Sequence, residues 1–99
     1  MIEYSMIELI DAIIDKNIYK VKLLLGQGAN PNCIIDESGL SAMHFACQST
    51  VGIFKCLLDF GGSIFNKDSD GISVIEYARN TPEIHHLIRS ESIFDRTIN

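Results

Sequence analysis

DESGLSAMHFA, residues 36–46, returns 32 residues later as DSDGISVIEYA, residues 68–78. The two copies match Asp36 with Asp68, Gly39 with Gly71, Ser41 with Ser73 and Ala46 with Ala78, while Ser38 gives way to Asp70. Outward from this pair a second match appears at an offset of 33, LLLGQGANPN (23–32) against LLDFGGSIFN (57–66). It brings Leu24 onto Leu57, Leu25 onto Leu58 and Gly28 onto Gly61. Ala12, in ELIDAIID, is a third copy of the alanine position. Several residue types recurring at one spacing mark a repeat architecture with a period of about 33 residues.

Each unit reads as a turn followed by two short helices. Ser41 and Ser73 stand where an N-cap belongs, because a hydroxyl there can accept from the unpaired N–H groups of a first helical turn. Ser73 with Glu76, and Ser5 with Glu8, have the S-x-x-E spacing of a reciprocal capping box. Apolar residues at helical spacing mark the second helices: Ile18, Val21, Leu24 and Leu25; then Val51, Phe54, Leu57 and Leu58; then Ile84, Leu87 and Ile88. Gly28 and Gly61 follow two of these helices, where a left-handed residue ends a helix without steric cost. Gly39 and Gly71 mark tight turns between units. No stretch alternates like a strand, so the expected class is all-α.

The sequence D-E-S-G-L-S-A-M-H-F-A, its copy D-S-D-G-I-S-V-I-E-Y-A, and L-L-G-Q-G-A-N-P-N closing the first unit resemble the ankyrin-repeat pattern. The resemblance spans roughly residues 5–89 and implies a short all-α solenoid of about three turn-helix-helix units with atypical caps at its ends. Residues 1–99 are then one domain, with approximate units 3–35, 36–67 and 68–99. The departures also carry information. Ser41-Ala42 and Ser73-Val74 keep the capping hydroxyl of the family's Thr-Pro and lose its proline. The interhelical turn QSTVG is short, RNTPE is shorter, and no closing G-A-D-x-N follows the third unit, so SIFDRTIN (92–99) is expected to close the far end.

Composition bounds the function. Ninety-nine residues with 46% hydrophobic and 21% charged content suffice for one buried core. A formal net charge of −5 without a basic stripe argues against a phosphate-backbone partner. No apolar run has the length of a membrane span, and the start MIEYSMIELIDAII carries Glu3, Glu8 and Asp11, which is not how a signal peptide begins. Cys33, Cys47 and Cys56 leave one over in any pairing, so reduced thiols in a cytoplasmic protein are the expectation.

Candidate chemistry is thin. NKDSDGISVIEY (66–77) offers Asn66, Asp68 and Asp70 at calcium-loop spacing. Such a loop also needs an aliphatic residue two places after its glycine and a Glu six places after it, and here those places hold Ser73 and Tyr77. The cysteines with His44, His85 and His86 lack the short spacing that lets one loop or helical turn present two zinc ligands. Cys47 and Cys56 read as small core residues. For His44 the resemblance implies a structural role, its imidazole tying neighbouring turns together. No nucleophile has an assigned base, and no phosphate-binding loop or metalloprotease motif is present. The expectation is a protein that is not an enzyme, with no metal and no cofactor.

Surface remains. The resemblance implies that a partner binds the concave face, made by the turn tips and the open side of each first helix. On this chain the tip positions are Glu37, Ser38 and Leu40, then Ser69, Asp70 and Ile72, and the helix positions are Asp11, Ile14 and Asp15. Phe45, Gln48 and Ser49 follow on the second unit, and Tyr77, Asn80 and Thr81 on the third, with Tyr4 at the N-terminal edge. Leu40 and Ile72 are large aliphatics on tips, where a side chain packs against little, and they read either as partner contacts or as ordinary exposed aliphatics. Asp11, Asp15, Glu37 and Asp70 fall on this side, and Lys16, Lys20 and Lys22 toward the back. Such a cluster reads either as a solvated surface that keeps a small protein soluble or as an acidic face that steers a basic partner into contact. Two jobs fit: a small inhibitor of the immunity or antitoxin kind, monomeric alone, blocking one basic protein such as a toxin or other enzyme; or an adaptor or scaffold subunit that blocks nothing.

Overall fold

The computed structural model describes residues 4–90, which form six helices. They are α1 (Tyr4–Ile14), α2 (Ile18–Gly26), α3 (Ala42–Ala46), α4 (Val51–Asp59), α5 (Val74–Ala78) and α6 (Pro82–Ser90). Each odd-numbered helix pairs with the helix after it. The first helices stack in the order α1, α3, α5 and the second in the order α2, α4, α6. The described residues contain two isolated antiparallel bridges, Ile34 with Ser41 and Lys67 with Ser73, and no longer strand. These bridges close the two fingers that precede α3 and α5. The expected all-α class stands.

Helix ends follow from local chemistry. Ser41 caps α3 and Ser73 caps α5, and in both a reciprocal box is complete. Its partner in the first is His44, whose imidazole takes the place Glu76 holds in the second. Asn17 and Thr50, not singled out in the sequence, cap α2 and α4 by accepting from the N–H groups of Lys20 and Ile53. Pro82 opens α6, where its missing N–H costs nothing. The Ser5–Glu8 box does not form as expected, because α1 already runs from Tyr4 and Ser5 lies inside it. Here the helix already includes the residue expected to cap it.

Three helices close in the same way. Gly28 and Gly61 have φ of 100° and 98°, and the N–H groups of Ala29 and Gly62 reach back to the carbonyls of Leu24 and Leu57. At the end of α1 the left-handed residue is Lys16, at φ 58°. The helix-to-helix turns run over residues 15–17, 47–50 and 79–81, so the third is indeed shorter than the second. SIFDRTIN (92–99) lies outside the described residues.

One apolar core runs through all three units. Leu9, Ile10, Ile13, Val21, Met43, Ile53, Phe54, Leu57, Ile64, Ile84 and Ile88 are each at most 2% exposed. Val51 departs from the expected stripe. It begins α4 and is 37% exposed, and Ile53 is the buried residue of that turn. Cys33 and Cys47 are buried and Cys56 is half-buried.

Candidate partner-binding face

His44 sits at the joint between the second and third units. Its Nδ1 accepts from the Ser41 backbone N–H at 3.1 Å, and its Nε2 lies 3.0 Å from the Ile72 carbonyl. A carbonyl only accepts, so Nε2 carries the proton and Nδ1 the lone pair. The ring therefore starts its own helix and fastens the next finger, as the resemblance implied. Tyr77 meets it edge-on at 4.7 Å between ring centres.

The fingers touch directly. Ser69 N–H donates to the Ser38 carbonyl at 2.8 Å. Below them Asn32 accepts from Ser63 N–H and Asn66 Nδ2, both at 2.7 Å, and donates to the Gly61 carbonyl. Within the fingers, Asp36 accepts from the hydroxyl and N–H of Ser38. Asp68 accepts from the N–H groups of Asp70 and Ile72, each at 2.9 Å, and from the Tyr77 hydroxyl at 2.7 Å. Bonds from Ser38 hold the Asp36 carboxyl below the usual carboxylate range. The Ile72 N–H first, and then the Tyr77 hydroxyl, do the same for Asp68. That bond to Asp68 pushes the Tyr77 phenol up to about 12. Of the carboxylates that spaced like calcium ligands, Asp68 is an acceptor of turn hydrogen bonds, and among the described residues no group of three His, Cys, Asp or Glu side chains converges. Burial raises the Cys33 thiol and pushes Cys47 to about 12.

The expected contact positions fall into three rows, aligned on Ala12, Ala46 and Ala78. Asp11, Phe45 and Tyr77 make the first, in which Asp11 is exposed while Phe45 and Tyr77 are half-buried. Ile14, Gln48 and Asn80 make the second, and all three are exposed. Gln48 and Asn80 lie just past the ends of α3 and α5 rather than on them, since those helices have only five residues each.

The third row is Asp15, Ser49 and Thr81, and two of its members build the stack. Ser49 Oγ donates to the Ile13 carbonyl at 2.7 Å, and Thr81 Oγ1 to the Cys47 carbonyl at 2.9 Å. Each hydroxyl bonds a carbonyl at the end of the preceding unit's first helix, and the one at Ile13 also accepts from the Lys16 N–H. The sequence carried that signal, a hydroxyl at the same register in the second and third units and an acid in the first. On the tips Glu37, Ser38, Ser69 and Asp70 are exposed, Ile72 is 37% exposed and Leu40 is half-buried. The side chain of Tyr4 lies outside the described residues.

Charge divides across the molecule. Lys20 pairs with Glu8 at 3.6 Å between α2 and α1, and Lys55 with Asp59 at 3.8 Å along α4. Among the described residues none of Asp11, Asp15, Glu37 and Asp70 is in an ion pair. No described helix is long and apolar enough to cross a membrane.

No curated protein matches the sequence. A family model described as ankyrin repeats matches in three copies over residues 9–93. With the finger-helix-helix units, the caps and the histidine joint all in place, the chain belongs to the ankyrin-repeat family and is a protein–protein interaction module.

Proposed function

We propose that this module is an acidic blocking protein, which seats its concave face on one basic protein partner and covers that partner's working surface. The observation that carries the reading is the set of exposed carboxylates Asp11, Asp15, Glu37 and Asp70, none of them in an ion pair, while Glu8 and Asp59 are matched with lysines of α2 and α4. Unneutralised acids raise the association rate with a basic surface and reject acidic ones. Ile14, Gln48, Asn80 and Ile72 supply uncharged contact area beside them.

The test replaces Asp11, Asp15 and Asp70 with Asn and Glu37 with Gln. Wild-type and neutralised chains are used as bait at low and high salt, and the captured protein is assayed for its own activity with and without each bait. A basic partner held one to one, inactivated by wild type and bound more slowly by the neutralised chain, supports the reading. Retained partner activity in a saturated complex overturns blocking and leaves an adaptor or scaffold subunit. An association rate unmoved by neutralisation removes the acidic face from the account.

A further inference from the structure

The two fingers differ in what lies beside them. In the finger Cys33–Ser41, the Cys33 carbonyl accepts from Ala42 N–H at 2.9 Å, so it points across the finger toward the returning arm. Backbone groups alternate in direction along extended chain, so the N–H and carbonyl of Ile34, and the N–H of Asp36, point the other way. The returning arm is covered. Gly39 packs so closely on Asp68 and Ser69 that a Cβ there would stand 2.5 Å from Ser69 N, and Ser69 N–H bonds to Ser38. The outgoing arm is bare. Neither Ile34 nor the Asp36 N–H has a hydrogen-bond partner among the described residues, and an open groove of about 710 Å³ runs along Ile34–Ser38.

From this edge we propose that the outgoing arm, residues 34–36, receives an extended, basic peptide segment of a partner protein, which adds to the finger as a further strand through Ile34 and Asp36. Unpaired strand edges recruit extended chain in this way, with backbone bonds giving affinity and alternate side chains giving specificity. The molecule already joins its two fingers by one backbone bond of this kind, from Ser69 N–H to the Ser38 carbonyl. Charge selects the occupant. Asp36 and Glu37 are exposed and the finger contains no Lys, Arg or His, so a second copy of this acidic chain meets like charge while a peptide bearing lysine or arginine meets its opposite. Ile34, 45% exposed, offers apolar surface for a β-branched residue between the cations. The proposal shares Glu37 with the concave-face reading and otherwise uses a different surface.

The probe is an end-blocked octapeptide of alternating lysine and valine, added to millimolar concentration and read by amide shifts and exchange. The expected result is a downfield shift and slowed exchange of the Ile34 and Asp36 amides. Methylating alternate backbone nitrogens of the peptide is expected to weaken binding about tenfold, the cost of roughly one hydrogen bond. Ile34→Pro deletes one edge donor at a position where a sheet edge accepts proline, so it should abolish binding and keep the melting curve. Glu37→Lys, which leaves the finger's own bonds alone, should weaken the lysine peptide and admit the glutamate analogue.

Absence of shifts at saturating peptide overturns the proposal, as does binding indifferent to N-methylation. Protection of the Ile34 and Asp36 amides in the free protein also overturns it, for then the edge is already covered. The two readings fail separately, since Ile34→Pro spares all four concave-face carboxylates, while a chain neutralised at Asp11, Asp15 and Asp70 alone, with Glu37 kept, spares the edge.

Discussion

At the scale of single residues the clearest exception is Lys16, a non-glycine side chain held at φ 58°. It does what Gly28 and Gly61 do at the ends of α2 and α4, at a steric cost that glycine avoids. Its ammonium is in no ion pair among the described residues, so Lys16→Gly gives up little. We expect stabilisation by about 0.5–1 kcal/mol, seen as a higher urea midpoint at unchanged slope. The Asp68–Tyr77 bond sets two pH limits. The carboxyl's folded value lies below its free one, so the stability it contributes is present above the ordinary carboxylate range and lost as pH falls through the lowered value. The phenol's folded value, about 12, lies above its free one, so its contribution is present below about 10 and lost as pH rises toward 12. Ultraviolet titration should show one tyrosine ionising late, and Tyr77→Phe should delete that phase. A Tyr77 that titrates with the other two would mean the bond is absent in solution.

At the scale of elements, fingers and helices are joined by repeated small devices. Gly39 and Gly71 share positive φ, 74° and 80°, yet only Gly39 faces backbone. Gly71→Ala should cost about 1–2 kcal/mol, the price of a left-handed alanine. Gly39→Ala should cost more and also break the Ser69-to-Ser38 bond, which amide exchange at Ser69 will report. Equal losses in the two variants would show that the fingers do not press together. The histidine joint explains a sequence difference of the same kind. His44 reaches both its own cap and the next finger, whereas Glu76, at the equivalent place, accepts from Ser73 alone. A carboxylate has no proton to offer a following carbonyl, so the residue itself marks the last described joint.

For the whole molecule, a three-unit stack leaves no unit able to bury its own face. Core residues from all three units form one continuous cluster, so unfolding is expected to be a single event. Pulse alkylation in rising urea will test this. Cys56, half-buried, should react first in the native protein, while Cys33 and Cys47 should open together at the midpoint seen by circular dichroism. Separate midpoints for Cys33 and Cys47 would show units that melt independently.

The sequence by itself determined the period, the two-helix unit, the capping serines and the closing glycines, because each is a local requirement of backbone geometry. It also named Asp11, Ile14, Gln48 and Asn80 as outward positions, since register relative to Ala12, Ala46 and Ala78 follows from the repeat. Only the tertiary structure separated Ser49 and Thr81 from that surface. Their hydroxyls answer carbonyls of the preceding unit; the repeated hydroxyl is visible in the sequence, but which carbonyl it meets depends on how the units stack. The same holds for the Ser5 cap, displaced by a helix that starts earlier, and for Val51, exposed where α4 begins. The bare arm at Ile34 was hidden for the same reason. Whether a backbone N–H is paired depends on which segment lies beside it, and that is decided by stacking, not by the letters of the segment itself.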